Sequence, residues 1–200
     1  MNPKRANRRD GPPDSSPRCR GALVALIPLG AVPELSLQVA AANLQAVMGL
    51  NAAVLPALPR PEYAFLPGRS QYDAAVIIKS LAEQQGGMPY RIGVTACDLC
   101  LPILTYVYGE SQLGGRAAVI SLHRLGGTPP AQFHERTAKV AVHEMGHLLG
   151  LEHCRKADCL MRFSMQLAQL DRLSMNLCSA CQYETARRLA RRAGRLEDIG

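Results

Sequence analysis

The chain has 200 residues, of which 48% are hydrophobic and 20% charged, with a formal net charge of +7. That length suits one domain with at most a small appendage, and the apolar content is enough for a core. No run approaches the ~18 apolar residues of a membrane span, which excludes a spanning protein. The charge excess sits at the two ends: +4 over residues 1–20, +3 over 187–200, and twelve side chains of each sign between them. Basic ends can hold phosphate weakly and without sequence preference, but solvated tails that aid solubility are the simpler reading.

In chain order, residues 1–20 are polar, basic and Pro-rich, and are expected to be a disordered tail. The apolar run 22–32 imitates a signal peptide behind its basic start. About ten Pro- and Ser-rich residues separate charges from run, and no small-x-small cleavage site follows, so it reads as a buried strand over 20–30 and the chain as cytoplasmic. Pro33 to Asn51 has helical spacing, with Leu37, Ala40, Ala41, Leu44, Val47 and Met48 on one face and Gly49 near the end. NAAVLPALP (51–59) is a short strand or extended piece. Residues 68–87 read as a second helix, capped by Ser70 and stopped by Gly86 and Gly87. Residues 90–99 read as a strand. Two more, 104–111 and 115–125, could form a hairpin that places an antiparallel strand at the sheet edge. GTPPAQF is a loop, Ala131–Leu149 a long helix ended by Gly150, and a final helix begins near Ser179. The order defines an α/β fold with a mixed sheet and two backing helices ahead of the long one, all within one domain over 21–200.

The long helix carries the chemistry. His143 and His147 are four apart, so both imidazoles leave one helix face and can grip one ion. Glu144 sits about 100° round the helix, placed to touch a water on that ion without ligating it. A continued helix would carry His153 away from the ion. Gly150 permits the sharp turn that brings it back. HEMGHLLGLEH is thus a three-histidine zinc pattern, and three neutral ligands leave a fourth position open, as catalytic zinc requires. Such an ion acidifies water and polarises a carbonyl, and Glu144 is the general base that takes the proton. The residue that stabilises the oxyanion is not identifiable.

Seven cysteines cannot all pair. Cys154, Cys159, Cys178 and Cys181 make C-x4-C…C-x2-C, a closed four-thiolate zinc pattern and therefore a structural one, giving two zinc ions per chain. Free or disulfide-bridged thiols remain the alternative. The metal would contribute much of the folding energy of 154–181, which has little regular pattern.

HEMGHLLGLEHC, then CLM, then CSAC resembles the archaemetzincins, a branch of the metzincin zinc proteases. The likeness covers most of 21–190 and is highly specific only in the metal region, and the loop between Met161 and Cys178 is one residue shorter than the family pattern. The resemblance implies a metzincin-like fold with a C-terminal zinc-bound subdomain. It implies zinc on His143, His147 and His153, Glu144 as base, and Met161 in a Met-turn forming an apolar floor. It also implies an edge strand holding an extended peptide, which 104–111 or 115–125 could supply.

Other signals read as structural. Cys97 and Cys100 are buried thiols, His123 and His134 are surface or supporting residues, and Asp98 orients the local fold. Arg187, Arg188, Arg191, Arg192 and Arg195 form a solvated helix face. The expected protein is a monomeric zinc peptidase acting on peptides or proteins, with no membrane partner. One alternative is a zinc-containing peptide- or protein-binding module without turnover, against which the intact Glu144 argues. Another is a nucleic-acid-associated zinc protein, against which the neutral body and 4% aromatic content argue.

Overall fold

The computed structural model describes residues 23–84, 86–127 and 129–197. The tail expected over 1–20, with Cys19, lies outside them. The elements run β1 (Val24–Leu29), α1 (Glu34–Met48), β2 (Ala52–Val54), β3 (Phe65–Leu66), β4 (Gln71–Asp73), α2 (Ala74–Glu83) and β5 (Tyr90–Thr95). Then come β6 (Leu99–Leu101), β7 (Leu104–Val107), β8 (Gly109–Ser111), β9 (Ala117–Ser121), α3 (Pro130–Leu148), α4 (Leu167–Arg172) and α5 (Ser179–Glu197). Among the described residues these strands form two sheets, ordered β2-β1-β5-β9-β8 and β3-β4-β6-β7. In the larger sheet β2, β1, β5 and β9 are parallel, while β8 runs antiparallel to β9 at one edge.

The parallel strands are mostly apolar, as suits strands with helices on both faces, with Arg91, Thr95 and Ser121 as buried polar exceptions. Every residue of β1, β5 and β9 is buried. Alternate positions divide between two cores, as a period of two requires. Val24, Leu26, Ile92, Val94, Ala118 and Ile120 face α1 and α3. Ala25, Ile27, Leu29, Ala117 and Val119 face α2 through Ile77, Ile78 and Leu81. The long helix α3 is thus pressed between α1 and the sheet, with Val140, Ala141, Met145 and Leu148 inward. The remaining edge of the helix is left for function.

Three sequence readings change. The segment 104–111 is two strands, not one: β7 joins the small sheet and β8 the large one. The cap of α2 is Asp73, whose carboxylate accepts from the Ala75 and Val76 amides at 2.9 and 3.4 Å. Ser70 stands before it at φ 51, in the turn leading to β4. Between Gly150 and the last helix the chain forms α4, a short element whose six residues give too little periodicity to read.

α4 is latched to α3 by charge. Asp171 accepts both guanidinium nitrogens of Arg136 at 2.7 Å, and the Lys139 ammonium, 1% exposed, donates to the Leu170 and Asp171 carbonyls. The Arg136 guanidinium holds the Asp171 carboxyl below its usual range. A depressed carboxyl stabilises the fold above its unfolded pKa and loses that contribution as pH falls through the folded value. Asp171→Asn is therefore expected to cost about 2 kcal/mol at neutral pH. The difference from wild type should shrink as the pH drops below about 4. Denaturant unfolding at both pH values measures it.

Candidate metal centre

α3 and the turn after it bring His143, His147 and His153 together. The His143 Nδ1 lies 2.8 Å from the Leu160 carbonyl oxygen and the His147 Nδ1 2.7 Å from that of Leu151. A carbonyl only accepts, so each Nδ1 carries the proton and each Nε2 presents a lone pair. The His147 Nε2 stands 3.0 Å from the His143 Nε2 and 3.2 Å from the His153 Nε2. Lone pairs converging at that spacing suit a cation between them. Tetrahedral zinc with Zn–N of about 2.05 Å separates its nitrogens by about 3.3 Å. Burial, reinforced by the other imidazoles, pushes His143 down to about 3, so it stays neutral and free to ligate. Burial also lowers His147 and His153.

The turn after α3 is built on Gly150. Gly150 has φ +89, where a side chain is strained, and its amide bonds the His147 carbonyl at 2.7 Å. α5 closes the corner: Arg188 donates to the Leu149 carbonyl at 3.1 Å, and its guanidinium lies directly against Gly150.

Glu144 is 6% exposed and points toward the edge strand. Ser111 Oγ donates to its Oε2 at 2.7 Å. Burial drives the carboxyl up to about 8, against the lowering effect of Ser111. β8 approaches so closely that a Cβ on Gly109 would stand 2.6 Å from Oε1 and 2.7 Å from Cγ of Glu144. Ser111 and Gly109 were invisible to sequence reasoning, since the contact joins residues over thirty positions apart and no motif links them. The histidines and Glu144 lie on one side of a 540 Å³ cleft, whose other walls include Ile103, Tyr106, Tyr108, Leu113 and Met165. The Tyr106 hydroxyl donates to the Met165 carbonyl at 2.8 Å and so joins two of these walls.

Cys154, Cys159, Cys178 and Cys181 form a second cluster with all sulfurs within 4.8 Å of one another. The Cys154 and Cys178 sulfurs are 3.8 Å apart, far too distant for a disulfide, and these cysteines are free. Zn–S of about 2.3 Å in a tetrahedron gives about 3.8 Å between sulfurs, so this donor set also fits zinc. Burial would raise the Cys178 thiol, but the Cys181 amide and the neighbouring thiols bring it down to about 7, near the point of ionisation. The loop between the two clusters serves both. The Cys154 amide donates to the Met161 carbonyl at 2.8 Å, and the buried Met161 sulfur packs against the α3 backbone at Gly146, beside His147.

Cys97 and Cys100 are buried free thiols. Asp98 is structural: burial would raise its carboxyl, but bidentate Arg124 at 2.7 Å and Gln71 at 2.9 Å hold it below the usual range. His123 is exposed, and His134 lies edge-on to Phe133. Among the described residues neither belongs to a metal-holding group. The arginine face needs correction. Arg187 and Arg188 bond Glu184, Arg188 caps α3, and Arg192 stacks on the Tyr90 ring at 4.4 Å and donates to its hydroxyl. Arg191 and Arg187, the latter in a surface pair with Glu184, fit the solvated description, Arg188 and Arg192 do not, and the Arg195 side chain lies outside what is described. No helix among the described residues is long and apolar enough to cross a membrane.

Fold and site together define a metal-dependent peptidase. The profile of peptidase family M54 matches residues 69–187, which include every histidine and cysteine of both clusters. Archaemetzincin of Natronomonas pharaonis is 35% identical over 168 residues, covering 80% of this chain and 96% of that one. The crystal structure of archaemetzincin from Methanopyrus kandleri superposes with a TM-score of 0.79 at 32% identity, over 87% of this chain and 98% of that one. A zinc-dependent peptidase from Methanocorpusculum labreanum gives 0.73 at 26% identity, over 81% and 99%. The chain belongs to peptidase family M54, the archaemetzincins.

Proposed function

We propose that this chain hydrolyses peptide bonds with zinc held by His143, His147 and His153 and with Glu144 as general base. A second zinc, on Cys154, Cys159, Cys178 and Cys181, is structural. The observation that carries the reading is the tautomer of His143 and His147: two carbonyls turn both Nε2 lone pairs to one point, beside a buried carboxyl. Zinc there supplies a Lewis acid that acidifies water and polarises the scissile carbonyl. A cation on the histidines would draw the raised Glu144 carboxyl back toward its ionised form, so that Glu144 would receive the proton and return it to the leaving amine in the orientation Ser111 fixes. Among the described residues β8 pairs with a strand on one side only, and we assign its outer edge to an extended peptide. The absence of a side chain at Gly109 lets that strand lie over Glu144. Met161 serves as the floor beneath the histidines. Four free thiols set for metal suit a reducing compartment, and we place the protein in the cytoplasm.

Gly109→Ala tests the close approach. The added methyl must displace Glu144, and misplacing a catalytic group by about 1 Å costs on the order of 10²-fold in rate. Turnover is expected to fall by that factor with zinc content unchanged, measured by steady-state kinetics and metal analysis.

The reading as a whole is tested on a mixed peptide library followed by mass spectrometry. The zinc-loaded protein, checked for both ions, is expected to cut, the chelator-stripped protein not to cut, and added zinc to restore cutting. If the loaded protein binds peptides but cuts none, it is a binding module on a peptidase scaffold.

A further inference from the structure

The three imidazoles are not held alike. His143 and His147 each donate to a backbone carbonyl. Among the described residues no carbonyl or carboxylate is hydrogen-bonded to His153, whose Nε2 faces His147. His153 also stands beyond the Gly150 turn, off the helix, and is the most exposed of the three. An imidazole with no protein partner at Nδ1 lacks the hydrogen bond that fixes the other two rings about their last torsion.

Its ring packs instead on the ring of Phe163, with centroids 4.9 Å apart and planes at 55°. Phe163 lines the cleft and is 52% exposed there. Two hydrogen bonds hold the chain segments that carry these rings. The Cys154 amide bonds the Met161 carbonyl at 2.8 Å, and Arg162 donates to the Arg155 carbonyl at 3.0 Å. Each bond lies one or two residues from a ring of the pair, so the loop sets Phe163 against His153 without help from substrate.

We propose that Phe163 is the positioning residue of the third ligand, its ring contact doing for His153 what the Leu160 and Leu151 carbonyls do for the other two. This rests on the three histidines being a zinc site. Phe163 touches no reacting atom. It limits the rotation of His153, so that the zinc meets three oriented nitrogens rather than two and a mobile one.

The test is zinc affinity, read by competition with a chromophoric chelator and by counting zinc per chain, on wild type, Phe163→Ala, Phe163→Tyr and His153→Ala. Loss of an interaction that orients a ligand typically weakens binding by about 10- to 100-fold. Phe163→Ala is expected to weaken the three-histidine zinc by at least about 10-fold and to leave the four-cysteine zinc in place. Phe163→Tyr, which keeps the ring, is expected to restore wild-type affinity. The proposal is overturned if His153→Ala weakens that zinc and Phe163→Ala does not, or if Phe163→Ala loosens both zincs alike, which would mark a general structural role. If His153→Ala leaves the affinity unchanged, the three-histidine reading itself falls.

Discussion

Glu144→Gln is expected to keep its zinc and lose peptide cleavage by about 10²- to 10⁴-fold, the range a positioned general base contributes. The substitution is nearly isosteric. Glu144 is buried against β8, and the amide oxygen of a glutamine can still accept from Ser111 at the observed 2.7 Å. None of the imidazole contacts involves Glu144, so metal content is expected to match wild type. What the amide cannot do is take a proton. The decisive comparison is the cleavage rate of one good substrate by wild type and variant, with zinc counted in both. A variant with equal zinc and equal rate would remove Glu144 from the base role.

The double substitution Cys159→Ser with Cys178→Ser is expected to reach further than the ion it removes. Structural zinc is worth roughly 10–16 kcal/mol in small zinc-folded peptides, and the stretch it organises here has only α4 for regular structure. That same stretch supports the other centre at three points. His153 adjoins Cys154, Leu160 supplies the carbonyl that orients His143, and Met161 packs beside His147. Zinc is therefore expected to fall from two ions per chain to fewer than one, with cleavage abolished and thermal stability sharply reduced. His153→Ala provides the contrast, giving up one zinc and keeping the cysteine cluster. If the double variant retained a full three-histidine zinc, the two centres would be independent.

The centre was legible in the sequence because its geometry is local. A spacing of four from His143 to His147 is about one helical turn, and a glycine at 150 is where the chain can reverse. The cysteines were legible for the same reason: two close pairs need only a loop between them. The full burial of β1 was readable as an apolar run, though which helix covers which face was not, since both faces are apolar. Short elements escaped. β3, β4 and β6 have two or three residues each, too few for a period of two to register, so the second sheet went unseen. Ser70 looked like a cap because serine is a good one, but the chain is in a turn there and runs on through β4 before Asp73 takes the position. The arginines of α5 looked solvated because their partners, Leu149 and Tyr90, lie far away in sequence. Ser111 and Gly109 escaped for the same reason, being joined to Glu144 only by folding.

The cap that Arg188 places on α3 bears on how the molecule comes into being. The helix bearing His143, Glu144 and His147 is translated before Cys178, Cys181 and Arg188. Until they arrive, the loop that orients His143 has half its thiols and the corner at Gly150 stands open. A growing chain thus carries the helix motif before it has the arginine that closes the corner after it and the two thiols that complete the cysteine cluster.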